Sequence, residues 1–131
     1  MTPVLDVQRF KDEGRRFATL TAYDYLSAQI LDDAGIPILL VGDSLGMVML
    51  GYPTTLLVTL VEMIHHAKAV FRGSRQALLV GDMTLLSYPP SVEQPITSPG
   101  RFLLEAGLHC VTVRCARTTA IFFTERSCAT Q

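Results

Sequence analysis

The apolar pattern along the chain contains a repeat in which a continuous hydrophobic run ends in Gly-Asp. The segment LLVGD occupies residues 39–43 and again residues 78–82. Continuous apolar runs are typical of strands buried on both faces of a parallel sheet. The repeat therefore predicts two parallel strands whose spacing suits one strand-plus-helix unit.

The segment between the two copies has the pattern of a helix over residues 57–72. Thr59 and Glu62 have the spacing of a capping box at its start, and Gly73 is expected at the C′ position that ends it. The apolar residues expected to face the sheet recur at helical spacing and are Leu60, Ile64, Ala67 and Phe71.

Similar alternation extends to both sides of the repeat. A strand is predicted over residues 17–22 and a helix over 25–34, ended by Gly35. After Asp82 several prolines interrupt the pattern, and the surviving signals are a short helix over 100–106 and a fourth strand over 108–113. Alternating strands and helices predict an α/β fold with right-handed crossovers, either a doubly wound sheet or a (β/α)8 barrel.

Composition limits the functional classes. The chain of 131 residues is 49% hydrophobic and 18% charged with a formal net charge of −1, so we expect one globular domain with no nucleic-acid or membrane partner. The apolar runs fall short of the roughly 18 residues that a membrane-spanning helix needs, and the N-terminal residues lack a targeting pattern, so a cytoplasmic location is expected. Cys110, Cys115 and Cys128 lack zinc-site spacing and are interpreted as reduced thiols.

The candidate chemistry lies at the ends of the two repeated strands. Asp43 and Asp82 each close a predicted parallel strand, and ligands of such folds collect at the carboxyl ends of the strands. Two carboxylates suit Mg²⁺, which prefers oxygen ligands, although strand-end aspartates also serve as caps of the next segment. Ser44, followed by Gly46, adds a turn that could hold a substrate carboxylate through backbone N–H groups.

Two histidines of the predicted helix are weaker candidates. Glu62 and His65 have the Glu-x-x-His spacing of helical-bundle metal sites, and His66 follows directly, but such sites need ligands from several helices. A surface or packing role is therefore predicted for both histidines.

Several ordered motifs resemble the ketopantoate hydroxymethyltransferase family. They are LTAYDY at 20–25, DAG at 33–35, LVGDSLGMV at 40–48 and VGDM at 80–83, with further matching segments between 51 and 73. The resemblance is dense over residues 15–91 and returns at residues 101–107.

The resemblance implies the first four or so strand–helix units of a (β/α)8 barrel of the phosphoenolpyruvate/pyruvate type, over residues 1–113. It implies hydroxymethyl transfer from 5,10-methylenetetrahydrofolate to 3-methyl-2-oxobutanoate in pantothenate synthesis, by a homo-oligomer that uses Mg²⁺. By resemblance Asp43 and Asp82 bind the metal, and Ser44 contacts the carboxylate of the 2-oxo acid. The metal would act as a Lewis acid on that substrate.

The chain departs from the family soon after Asp82, at residues 84–86, and more seriously after Val111. Thr112 stands where the family has a substrate-binding Lys, and Arg114 stands where it has an acid near the metal. Residues 114–131 form a tail without resemblance and without an assigned element, and the position of the family's catalytic base lies beyond residue 131. Two hypotheses follow. The first is an enzyme of ketopantoate synthesis, which another polypeptide carrying the missing barrel half could complete. The second is a truncated non-catalytic remnant or interaction module.

Overall fold

A five-stranded sheet organises the chain in a computed structural model that describes residues 4–83, 97–115 and 118–123. The strands lie in chain order and are β1 (Thr19–Thr21), β2 (Ile38–Val41), β3 (Leu78–Asp82), β4 (Cys110–Cys115) and β5 (Thr118–Phe123). The helices are α1 (Val4–Asp12), α2 (Tyr25–Asp33), α3 (Leu45–Val48), α4 (Leu60–Gly73) and α5 (Thr97–Ala106), with a short 3-10 helix at Thr55–Leu57.

Strands β1 to β4 are parallel, as the alternating pattern predicted. In the β2–β3 pair, Ile38 lies opposite Leu78 and Val41 opposite Gly81, so the two LLVGD copies run side by side. The copies are offset by one residue, because Leu39 of the first pairs with Leu79 of the second. The prediction that the repeat encodes neighbouring parallel strands is confirmed.

The start of α4 also agrees with the sequence. Thr59 accepts a hydrogen bond from the backbone N–H of Glu62, and the Glu62 carboxylate accepts one from the Thr59 N–H at 2.8 Å, which completes the capping box. The helix begins at Leu60 and not at the predicted residue 57, because residues 55–57 form a separate 3-10 turn.

The expected role of Gly73 was wrong. The residue lies inside α4, and Ser74 with an extended backbone ends the helix. A Cβ on Gly73 would lie 2.4 Å from the carbonyl oxygen of Tyr25 and 3.0 Å from the Cβ of Ala28. Glycine is needed here because α2 approaches α4 too closely for a side chain.

The core lies between the sheet and the helices packed on it. Its largest fully buried side chains include Phe102 of α5, Met63 of α4, and Leu39 and Leu79 of the two central strands. Of the face predicted for α4, Ile64 and Ala67 are buried, whereas Phe71 is 42% exposed.

Asp32 of α2 holds the segment that leads into β3. Its carboxylate is 3% exposed. It accepts hydrogen bonds from the Ser74 hydroxyl and from the backbone N–H groups of Arg75, Gln76 and Ala77. These bonds fix the turn before β3 and thereby the position of β3 along its neighbouring strands.

The later elements differ from the sequence prediction. Helix α5 begins at Thr97 and includes Pro99 in its first turn, where a missing N–H breaks no helical hydrogen bond. Strand β4 spans Cys110–Cys115, so it begins and ends two residues later than predicted. Strand β5, for which no pattern was found, pairs antiparallel with β4 within the tail at 114–131.

Among the helices that the structure describes, none is long and apolar enough to cross a membrane.

Candidate functional site

Polar side chains from four neighbouring strands lie at one edge of the sheet. Tyr23 follows β1, Asp43 and Ser44 follow β2, Asp82 is the last residue of β3, and Thr112 is its partner in β4. Because these strands are parallel, their carboxyl ends meet at the same edge. The structure thus places the three predicted site residues, Asp43, Ser44 and Asp82, on one edge of adjacent strands.

Gly42 lies at the centre of this group. A Cβ placed on Gly42 would lie 3.6 Å from the Ser44 Oγ and 3.9 Å from the Asp82 Cβ. Side chains from two strands therefore border the same point. Asp82 is 6% exposed, while Asp43 is half-buried.

Tyr23 is joined to this group by its hydroxyl. The Tyr23 hydroxyl and the Ser44 Oγ are 2.6 Å apart, and either can donate the hydrogen bond. Ser44 directly precedes α3 at the N-cap position, yet its hydroxyl makes no capping hydrogen bond with that helix. The orientation of the Ser44 hydroxyl is therefore set by Tyr23.

Tyr23 is itself anchored from both sides. Its carbonyl oxygen lies 2.7 Å from Nδ1 of His66 in α4. The next residue, Asp24, caps α2 by accepting a hydrogen bond from the Ser27 N–H, and this bond lowers the pKa of Asp24. The backbone at Tyr23 is thus held by α2 and α4 together.

Asp82 is bonded to the neighbouring strand. The Thr112 hydroxyl donates a hydrogen bond to Oδ1 of Asp82 at 2.7 Å and lies 3.4 Å from the carbonyl oxygen of Gly81. Thr112 therefore contributes a neutral donor to the carboxylate of Asp82.

The helix candidates have structural partners. Glu62 closes the capping box and accepts a hydrogen bond from the Tyr52 hydroxyl, which is the main reason that its pKa is lowered. His66 contacts the Tyr23 backbone, and His65 is exposed and meets His66 edge to face. The prediction that neither histidine binds metal stays a prediction.

Sequence reasoning missed two members of this group. Tyr23 was noted only as part of the LTAYDY motif, although its position directly after a strand was a usable signal. Thr112 was noted only as a substitution.

Within the described residues, no three His, Cys, Asp or Glu side chains group closely enough to hold a metal ion. The groups at this edge that could contact a ligand are the carboxylates of Asp43 and Asp82, the hydroxyls of Ser44 and Thr112, and the Tyr23 phenol that is hydrogen-bonded to Ser44.

Comparison with known sequences identifies the family. The family model described as ketopantoate hydroxymethyltransferase matches residues 2–125. The chain belongs to the ketopantoate hydroxymethyltransferase family. The match continues past Val113 into the tail, and it includes all the strand ends described above.

Individual relatives support the same assignment. The chain is 56% identical over 110 residues to the 3-methyl-2-oxobutanoate hydroxymethyltransferase of Chloroflexus aggregans, covering 84% of this chain and 39% of that protein. It is 51% identical to the enzyme of the same name from Clostridium botulinum, over 86% of this chain and 41% of that one. It is 58% identical to the enzyme of the same name from Trichodesmium erythraeum, over 79% of this chain and 39% of that one. The chain thus spans about two fifths of the length of these relatives.

A solved structure supports the fold. The crystal structure of a phosphonopyruvate hydrolase complex with oxalate and Mg²⁺ superimposes with a TM-score of 0.53 at 18% identity, covering 63% of this chain and 29% of that one. With the four parallel strands and the partial coverage of the relatives, this likeness confirms the predicted partial (β/α)8 barrel.

Proposed function

We propose that this chain forms the metal- and oxo-acid-binding part of a ketopantoate hydroxymethyltransferase site. The observation that carries the proposal is that the Ser44 Oγ and the Asp82 Cβ both lie within 4 Å of the Cβ position of Gly42, the residue before Asp43, in a chain of that family. The substrate would be 3-methyl-2-oxobutanoate, the one-carbon donor 5,10-methylenetetrahydrofolate, and the metal Mg²⁺.

The donor set fits a hard divalent cation. Carboxylate oxygens on adjacent strand ends are ligands that Mg²⁺ accepts, and with few protein ligands the ion keeps positions for water or substrate oxygens. Asp43 and Asp82 would hold the ion. Bound Mg²⁺ supplies Lewis acidity toward a 2-oxo acid.

The chain's own residues would hold and orient the substrate. The Ser44 hydroxyl, which is hydrogen-bonded to Tyr23, would donate to the substrate carboxylate. Thr112 keeps Oδ1 of Asp82 in one orientation through its hydrogen bond. These contacts support binding, whereas the family's Lys and acid are replaced by Thr112 and Arg114, so we propose that the chain by itself does not turn over substrate.

The non-catalytic interpretation is the second candidate, and those two substitutions favour it. Under this interpretation the chain retains the barrel's first strands without supporting transfer. The two candidates differ in ligand binding: the first requires Mg²⁺-dependent binding of the 2-oxo acid, and a remnant requires none.

The test is calorimetric titration of 3-methyl-2-oxobutanoate into the full chain, with and without Mg²⁺. We expect binding that needs Mg²⁺ and is lost in Asp82→Asn but kept in Asp33→Asn, an exposed aspartate of α2. Equal binding by both variants, or binding independent of Mg²⁺, would contradict the assigned site. A parallel assay with methylenetetrahydrofolate should show no turnover, and turnover by the chain alone would refute that part of the proposal.

A further inference from the structure

Strand β5 is the last strand of the sheet and lies next to β4. It pairs antiparallel along the whole of β4, from Cys110 opposite Phe123 to Cys115 opposite Thr118. Strand β5 therefore runs opposite to β1 to β4, which are all parallel to one another.

The backbone bonds show which groups of β4 are taken by β5. The N–H of Met83 donates to the carbonyl of Thr112 at 3.0 Å, so the backbone polar groups of Thr112 face β3. Alternate residues of a strand direct these groups to opposite sides. Those of Val111 and Val113 therefore face β5, where their partners are Phe122 and Ala120.

The same groups have a different partner in a (β/α)8 barrel. In that fold eight parallel strands close on themselves, so the fourth strand bonds to a fifth parallel strand on the side away from the third. A row of backbone groups can pair with only one neighbouring strand at a time. In this chain the antiparallel β5 holds the place of that fifth parallel strand.

We propose that β5 is an edge-capping strand that prevents this chain from receiving a further parallel strand at β4, either from a polypeptide carrying the rest of a barrel or from a second copy. Unpaired strand edges promote association between chains. The cap keeps the β4 edge out of such contacts, and completion of the barrel through β4 requires that β5 first leave. The inference rests on the sheet pairing and is independent of metal or substrate binding.

Two proline variants of the full chain distinguish the cap from a passive tail. Ala120→Pro removes an N–H that faces β4. Thr119→Pro is the matched control, because Thr119 pairs with Arg114, whose backbone groups face β3 like those of Thr112, so the Thr119 N–H points away from β4. Phe122→Pro repeats the inward change at a second site in case Ala120→Pro does not fold.

Hydrogen exchange by NMR and light scattering measure the outcome. We expect slow exchange at the amides of Val111 and Val113 in the unmodified chain and in Thr119→Pro, and about tenfold faster exchange in the inward variants, since each loses a backbone hydrogen bond. The Thr112 amide, which faces β3, should stay protected. The inward variants should also self-associate at concentrations where the control keeps the mass of the unmodified chain.

Several results would overturn the proposal. Fast exchange at Val111 and Val113 in the unmodified chain would show that β5 does not cover the edge. Equal masses for inward and control variants, with the β4 amides exposed, would show that the uncovered edge recruits no partner and needs no cap.

Discussion

The carboxylate of Asp32 is expected to contribute more to stability than its neighbour in the chain. Replacing it by Asn keeps the shape of the side chain but exchanges one acceptor oxygen for a donor NH₂ group. In the native chain Oδ1 accepts from Ser74, Gln76 and Ala77, with distances of 2.7, 3.0 and 2.7 Å. Oδ2 accepts from Arg75 at 3.0 Å and from Gln76 at 3.2 Å. The NH₂ group of an Asn at position 32 would therefore face at least one backbone N–H, so that two donors would point at each other.

The magnitude follows from the number of bonds affected. A hydrogen bond to a charged acceptor contributes about 1.5 to 3 kcal/mol, and a buried donor left without an acceptor adds a similar penalty. Because the substituted amide would lose one or two of these bonds, we expect Asp32→Asn to lower the free energy of unfolding by about 2 to 4 kcal/mol at neutral pH. Asp33→Asn, on the exposed side of α2, should change it by less than about 0.5 kcal/mol.

The effect should also depend on pH. Burial alone raises the pKa of Asp32, but the hydrogen bonds from Ala77, Arg75, Ser74 and Gln76 lower it by more, so the net pKa lies below its ordinary value of 3.8. A carboxyl with a lowered folded pKa stabilises the protein above its unfolded pKa, and this contribution is lost as the pH falls through the folded value. The difference between the unmodified chain and Asp32→Asn should therefore be constant from neutral pH to about 5 and should shrink below 3.8.

Urea unfolding followed by circular dichroism, at a series of pH values, measures both effects. The unmodified chain and the Asp33→Asn control should show the same midpoint at each pH, while Asp32→Asn shows a lower one at neutral pH. Equal losses of stability in both variants, or an Asp32→Asn difference that stays the same below pH 3.8, would contradict the role assigned to the Asp32 carboxylate.

Three further predictions concern helix packing, the site and thiol chemistry. Gly73→Ala should lower stability by about 1 to 3 kcal/mol in thermal unfolding because its Cβ would meet a carbonyl of α2 at 2.4 Å, whereas Gly100→Ala, in open space in α5, should be neutral or stabilising. Tyr23→Phe should weaken Mg²⁺-dependent binding of the 2-oxo acid roughly three- to tenfold by calorimetry, and the loss should vanish in a Ser44→Ala background if Tyr23 acts through that hydroxyl. Burial raises the pKa of Cys110 to about 11, so peptide mass spectrometry at pH 8 should show slow alkylation of this thiol in the native chain and fast alkylation in urea; equal rates would contradict its burial.

The elements that the sequence predicted best are those encoded locally. The LLVGD repeat identified β2 and β3 because a doubly buried strand needs a continuous apolar run, and the parallel pairing followed from one intervening helix. The start of α4 was predictable because a capping box involves only residues three apart.

The features that were missed depend on distant parts of the chain. The close approach of α2 explains Gly73 inside α4, and no local pattern distinguishes such a glycine from one that ends a helix. Asp32 appeared as an ordinary helix residue, since its partners lie more than forty positions away in the turn before β3. The Tyr23–Ser44 contact joins the ends of two strands, and it became visible only once their register was known.

Family membership can be recognised from local motifs, whereas activity depends on residues from distant parts of the fold. Active-site residues of a (β/α)8 barrel come from the ends of several strands, so a segment with four of them carries only a share of the site. The ends of β1 to β3, where metal and oxo-acid contacts are proposed, lie within the family match, which extends over residues 2–125. An antiparallel strand then stands beside β4, so the edge from which further barrel strands would extend is already paired. Binding and turnover are therefore separate questions for this chain: the first depends on strand ends that are present and assembled, and the second on residues that would have to reach the site past β5.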